Sequence, residues 1–152
     1  MAVYTAVSDD QASALLDTLN LGAFQSLTGI QGGIENTNYF LTTDQGDYVL
    51  TLFERLSETE LPYYLNLMLW LAQHGVPVPA PHPNAQGHIL LSVAGKPAAI
   101  VDRLPGKPQL APQTVHCQQM GEWLARMHLA CPGFEGFQPH LRGLPWWNDT
   151  AP

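Results

Sequence analysis

Three glycines within five residues, Gly29, Gly32 and Gly33, stand between two stretches that read as β-strands, 24–30 and 39–43. Three short polar side chains, Asn36, Thr37 and Asn38, close the stretch before the second strand. Glycine permits positive φ and lets backbone N–H groups approach a ligand with no Cβ in the way. Successive N–H groups in such a turn form a concavity suited to phosphate oxygens. An ordinary hairpin loop is the plain alternative for this stretch taken alone. A turn at 44–47 and a further strand at 48–54 follow, so this part of the chain must build an antiparallel meander with the glycine loop at its first corner.

Composition bounds what the meander belongs to. A length of 152 residues is one domain's worth, and 45% apolar residues are ample for a core, which excludes disorder. The net charge of −7 and the scatter of the basic residues Arg55, Lys96, Arg103, Lys107, Arg126 and Arg142 argue against a nucleic-acid partner. The start, Met1-Ala2-Val3-Tyr4, has neither a basic nor an apolar region of a secretory signal. No apolar run reaches bilayer length, so no membrane partner and a cytoplasmic location are expected. Cys117 and Cys131 bracket one expected helix, where fourteen residues separate them by about 21 Å, so free thiols are expected. The six histidines (74, 82, 88, 116, 128 and 140) never fall at i, i+4, and there is no Cys-x-x-Cys, which speaks against a zinc-type site.

Taken in order, Ser8-Asp9-Asp10-Gln11 has capping-box spacing, and Ala12, Leu15, Leu16 and Leu19 continue it as a helical apolar stripe ended by Asn20 and Gly22. After the meander, Ser57-Glu58-Thr59-Glu60 opens a second helix. Pro62 belongs in a first turn, which makes Thr59 the expected cap. Residues 61–71 are apolar nearly all round, so this helix should be covered on more than one side. Gly75 stops it, and the four prolines of 76–84 impose an extended segment. Two strands are expected at 88–93 and 97–103 around a turn at Ala94-Gly95-Lys96, then a linker and a long helix over about 112–130 with the stripe His116, Met120, Trp123, Leu124 and Met127. The tail, 132–152, shows no periodicity.

Five strands, a helix between the third and fourth, a linker and a further helix make an α+β order. It is the order of a protein-kinase-like small lobe, a five-stranded antiparallel sheet with an inserted helix, followed by the first helix of the large lobe. The expected division is 1–104 for a nucleotide-binding lobe, 105–111 for a hinge or linker, and 112–152 for the truncated start of the second lobe.

The segments Gly33-Ile34-Glu35-Asn36-Thr37-Asn38-Tyr39-Phe40-Leu41, Tyr48-Val49-Leu50-Thr51-Leu52-Phe53-Glu54, Gly95-Lys96-Pro97-Ala98-Ala99 and Gly143-Leu144-Pro145-Trp146-Trp147-Asn148 closely resemble bacterial homoserine kinases. These are the type belonging to the aminoglycoside phosphotransferase and choline kinase superfamily. The resemblance covers essentially the whole chain and implies transfer of the ATP γ-phosphate to the hydroxyl of L-homoserine, a step in threonine synthesis. Members of that family run to about twice this length, so the chain resembles the N-terminal part of such an enzyme.

The resemblance implies a nucleotide-binding set of Gly32, Gly33, Glu35, Asn36, Thr37 and Asn38 around the loop, Val49 and Thr51 on the third strand, and Val101, Asp102, Arg103 and Leu104 at the hinge. Alternation puts Val49, Thr51 and Phe53 on one face, with Val49 against adenine and Thr51 where many kinases carry a lysine. Threonine brings no charge, so the α/β-phosphate contact must be weaker or supplied elsewhere. The inserted helix agrees, since after Glu60 it has no acidic residue to pair with a lysine; Glu58 and Glu60 read as capping groups. Arg55 is a substitute cation or, more plainly, a solvated strand end. Asn36 and Asn38 are expected to orient the loop through their own backbone. At the hinge, the C=O of Asp102 and the N–H of Leu104 would meet the adenine edge, and surface charge is the plainer alternative for the side chains of Asp102 and Arg103.

A kinase catalytic loop needs His-x-Asp followed by Asn, the Asp taking the hydroxyl proton and the Asn holding Mg²⁺. No histidine here is followed two residues on by Asp, and after Asp102 the only acidic residues are Glu122, Glu135 and Asp149. No catalytic residue is therefore expected in this chain, and the Mg²⁺ ligands are expected beyond Pro152. The rival readings are another small-molecule kinase of the superfamily, acting on an amino alcohol or aminoglycoside, and a non-catalytic nucleotide-binding module. The stripe of the 112–130 helix is expected to mediate self-association or to fold back onto the small lobe.

Overall fold

The computed structural model describes residues 3–139 and 143–150; His140, Leu141, Arg142 and the two residues at each end, Met1, Ala2, Ala151 and Pro152, lie outside them. Strands β1 (Phe24–Gly29), β2 (Asn36–Thr43), β3 (Asp47–Phe53), β4 (Leu91–Val93) and β5 (Lys96–Asp102) form one antiparallel sheet in the order β1-β2-β3-β5-β4. Helix α1 (Asp9–Asp17) precedes it, α2 (Leu61–Gln73) is inserted between β3 and β4, and α3 (Thr114–Ala130) and α4 (Leu144–Thr150) follow. The expected α+β order of five strands with an inserted helix is what forms.

Period-two alternation divides the strands. Tyr39, Leu41, Tyr48, Leu50, Leu52 and Ile100 point to one face and pack with Ala12, Leu15 and Leu16 of α1. Both arms of the α1 capping box are made: Ser8 Oγ accepts from the Gln11 N–H at 3.2 Å and Gln11 Oε1 accepts from the Ser8 N–H at 2.9 Å. Residues before α1 are pinned to the same face. Thr37 Oγ1 accepts from the N–H groups of Tyr4 and Thr5 at 2.9 and 3.2 Å, and Tyr39 Oη donates to the Thr5 carbonyl at 2.9 Å.

Helix α2 is covered on two sides, as its composition requires. Leu65 packs with Ile89, Ala99 and Val101, with Val49, Phe53 and Met68 against them. On its other side Trp70 donates from Nε1 to the Ala130 carbonyl at 2.7 Å, and Tyr63 meets Phe134 edge-on at 5.8 Å. Gly75 ends the helix at φ +76°.

Four local expectations are corrected. Thr59 does not cap α2: the N-cap is Glu60, whose carboxylate turns back to accept from the Ser57 N–H at 3.0 Å and Oγ at 2.7 Å, so 57–60 is a separate turn. Strand β4 starts at Leu91 rather than at 88, because the Asn84 side chain takes the N–H groups of Gln86 and His88 and folds that stretch into a loop. The aperiodic tail contains α4, whose seven residues are too few to display a period and whose Pro145 sits in the first turn, where proline is tolerated. Asn36, Thr37 and Asn38 belong to β2 and not to the glycine loop.

Candidate functional site

The face of the sheet away from α1 forms one wall of a cavity of about 550 Å³, within the size range of small-molecule sites. Strand register arranges its lining in rows. Asn36 lies opposite Phe53; Asn38 opposite Thr51, with Ala99 on the far side; Phe40 opposite Val49, with Val101 beyond. Neighbouring rows are two residues apart, about 7 Å. The row pattern makes one end polar, beside the glycine loop, and the other apolar, beside Asp102, Arg103, Leu104 and Gly106. Leu65 and Met68 of α2 and Pro79 of the extended segment complete the lining.

At the apolar end the Arg103 guanidinium lies over the Phe40 ring, 4.1 Å from its centroid, and 3.9 Å from Asp47 Oδ2. Asp102 Oδ1 is 2.6 Å from His82 Nε2, and the His82 ring meets Tyr48 edge-on. The backbone repeats this link: the Asp102 N–H donates to the Ala80 carbonyl at 3.0 Å and the His82 N–H to the Ile100 carbonyl at 2.9 Å. The proline segment is thus clamped to β5 and stiffens the end of the strand that borders the cavity. The side chains of Asp102 and Arg103 are therefore more than loose surface charge.

At the polar end Thr51 Oγ1 donates to Asn38 Oδ1 at 2.8 Å. The Asn38 side chain thus bonds across the sheet rather than to its own backbone, which corrects the loop-orienting role expected of it. Asn36 likewise lines the cavity from β2, and loop orientation is not its part either. Gly33 has φ +134°, a conformation that glycine alone adopts readily, and an added Cβ at Gly32 would meet nothing within 4 Å. Both stand in the loop beside the polar end, outside the residues that line the cavity.

The remaining candidates divide clearly. Val49, Thr51, Val101, Asp102, Arg103 and Leu104 line the cavity with Asn36 and Asn38. Thr37 does not: alternation turns it to the α1 face, where it is fully buried and donates to Glu54 Oε1 at 2.7 Å. Burial pulls the Glu54 carboxyl up, but hydrogen bonds from Thr37, Thr5 and Lys96 and the Lys96 charge outweigh it and hold Glu54 below the usual value. Glu35 faces Arg55 across 4.0 Å, with both side chains more than half exposed, so this pair bridges the loop and the end of β3. Phe40, Phe53, Ala99, Leu65, Met68, Pro79 and Gly106 complete the lining without having been named as site residues. Alternation from Asn38 and Val101 reaches Phe40 and Ala99, whereas the α2 and proline-segment residues arrive through tertiary packing that no local pattern encodes.

Among the described residues no three His, Cys, Asp or Glu side chains gather as a metal-binding group, and no helix is long and apolar enough to cross a membrane.

The cavity thus lies on the open face of a five-stranded sheet, apolar at the strand-end side and polar beside a glycine loop. The chain belongs to the phosphotransferase enzyme family, which it matches over residues 26–152. It is 58% identical over 152 residues to a homoserine kinase of Polaromonas naphthalenivorans (strain CJ2), covering 100% of this chain and 48% of that protein. It is 51% identical over 152 residues to one of Paraburkholderia phytofirmans, covering 100% of this chain and 46% of that one. The chain thus spans just under half the length of these relatives. Among solved structures it resembles an amicoumacin kinase, hAmiN, in complex with AMP-PNP, Ca²⁺ and Ami (TM-score 0.63, 23% identity, 87% of this chain and 42% of that one). A spectinomycin phosphotransferase in complex with ADP and spectinomycin gives TM-score 0.65 at 14% identity, covering 82% of this chain and 38% of that one. At these identities the two structures speak for the fold, and they bear out the protein-kinase-like small lobe.

Proposed function

We propose that this chain is the nucleotide-binding lobe of a homoserine kinase, with residues 1–104 forming the lobe, 105–111 the hinge and 112–152 the start of the second lobe. The observation that carries the nucleotide half is the polarity of the cavity. A purine fits between Phe40, Val49 and Val101 at the hinge end, and the phosphate chain runs past Asn38 and Thr51 towards the glycine loop. The substrate half rests on the homoserine kinases that match the whole chain. The lobe binds, orients and shields one end of ATP. The group that takes the homoserine hydroxyl proton and the ligands of Mg²⁺ would come from a second lobe. General-base positioning contributes about 10²- to 10⁴-fold, so the 152 residues alone should not turn over.

The test joins this chain to the C-terminal half of the Polaromonas naphthalenivorans relative and measures homoserine-dependent ADP release. Turnover by the chimaera and none by the chain alone is expected. Comparable turnover by the chain alone overturns the division of labour, and preference of the chimaera for an aminoglycoside over homoserine overturns the substrate. The chain alone is expected to bind ATP weakly, so submicromolar affinity in calorimetry contradicts the lobe reading. Exposed Met120, Trp123 and Leu124 on α3 support self-association of this chain. A sedimentation coefficient independent of concentration would contradict that.

A further inference from the structure

The position where many kinases carry a lysine holds Thr51, and among the described residues the cations on the sheet or at its strand ends, Lys96, Arg55 and Arg103, are engaged elsewhere. Lys96 is on the other side of the sheet, 3.0 Å from Glu54. Arg55 faces Glu35, and Arg103, which does line the cavity, is seated on Phe40 at the opposite end. What the polar end does offer is two side-chain amides. Asn36 and Asn38 are two residues apart on β2 and both line the cavity.

The hydrogen bond from Thr51 Oγ1 fixes which way the Asn38 amide faces. With Oδ1 taken at 2.8 Å, the carbonyl end of the amide is committed to β3 and the two N–H donors of Nδ2 remain. Among the described residues neither these donors nor the Asn36 side chain makes a hydrogen bond. A half-buried amide held in one orientation with its donors unspent is arranged to receive an acceptor.

We propose that Asn36 and Asn38, the latter oriented by Thr51, are the uncharged donors that hold the nucleotide's phosphate oxygens in place of the lysine. This rests on the nucleotide reading above and deepens it. Asn38, next to the base end, meets the inner phosphate; Asn36, next to the glycine loop, meets the outer one. Thr51 is a positioning residue that acts through Asn38. A neutral donor gains from hydrogen bonding without the long-range attraction of a lysine, so the phosphate contribution should depend only weakly on salt.

The experiment compares binding of ADP and adenosine to this chain by calorimetry without metal, at low and high salt. The parent should bind ADP more tightly than adenosine. Asn36→Ala and Asn38→Ala should each weaken ADP by about 2- to 10-fold, the range of one neutral hydrogen bond, and leave adenosine unchanged. Asn36→Ala breaks no side-chain hydrogen bond among the described residues, so it reads binding even if Asn38→Ala unfolds. Thr51→Val should weaken ADP alone, and Thr51→Lys should restore ADP affinity with a steeper salt dependence. Equal loss of ADP and adenosine in the asparagine variants, or full ADP affinity in Asn38→Asp, overturns the assignment while leaving the nucleotide site standing. A parent chain that binds neither compound overturns the nucleotide reading itself.

Discussion

On one side of the sheet, α1 and the segment before it bury Leu41, Leu50, Leu52 and Ile100 to 1% exposure or less. On the other, the same strands leave Asn36, Asn38, Val49 and Thr51 half-buried around a cavity. Neighbouring residues on one strand therefore serve different ends: the even positions of β3 hold the fold together, and the odd ones are free to meet a ligand. The buried residues of the closed face are hydrophobic except for Thr37 and Thr43, and both have their hydrogen bonds made. On the open face the uncharged polar side chains Asn36, Asn38 and Thr51 gather at the glycine-loop end, while Asp102 and Arg103 border the other. Stability and binding should accordingly be separable by substitutions one residue apart.

The sharpest way to break that comparison is at Leu50 and Thr51. Leu50→Ala removes a fully buried side chain and should cost about 2–5 kcal/mol in urea unfolding. Thr51→Ala gives up one partly buried hydrogen bond and should cost no more than about 1.5 kcal/mol. Equal losses would mean that the two faces are not distinct.

Next comes Thr37, which an expectation from the glycine loop places with the ligand and the structure places in the core. Thr37→Val leaves the N–H groups of Tyr4 and Thr5 and the Glu54 carboxylate without their shared partner, at a cost of about 1–3 kcal/mol. Hydrogen exchange should show the two amides losing protection, with adenosine binding unchanged.

The contrast between Thr37 and its neighbours shows what the sequence makes legible. Alternation alone places Val49 and Thr51 on the open face, and it also puts Thr37 opposite to Asn36 and Asn38 once β2 is known to begin at Asn36. The run of short polar residues after the glycines hides that start, because Asn and Thr favour loops as readily as strand ends. The capping box of α1 is read from four residues since its bonds are local. Leu65, Met68 and Pro79 are not legible, because their place in the lining depends on how α2 and the proline segment lie across the sheet. The clamp of His82 on Asp102 joins residues twenty apart, and spacing rules for metal ligands are silent on it.

A smaller effect concerns pH. Glu54 has its carboxyl below the usual value in the folded chain, so the unfolded chain binds the proton more readily. Its contribution is fully present above the unfolded value of 4.5 and is lost as pH falls through the lower folded value. Stability should therefore fall more steeply on acidification below 4.5 in the parent than in Glu54→Gln, as measured by urea unfolding at a series of pH values. The opposite slope would contradict the Lys96, Thr5 and Thr37 contacts. Smallest of all, Arg126→Ala on α3 removes an exposed pair with Glu122 at 2.7 Å and should change stability by less than about 0.5 kcal/mol.

The central claim, that the open face receives a nucleotide with its base at the hinge end, is tested most directly by titrating ADP into ¹⁵N-labelled chain and following the backbone amides. The account predicts shifts at Asn36, Asn38, Val49, Thr51, Val101 and Leu104, with adenosine moving Val49, Val101 and Leu104 but not Asn36. Shifts confined to α1 and β4, or none at millimolar ADP, would contradict it.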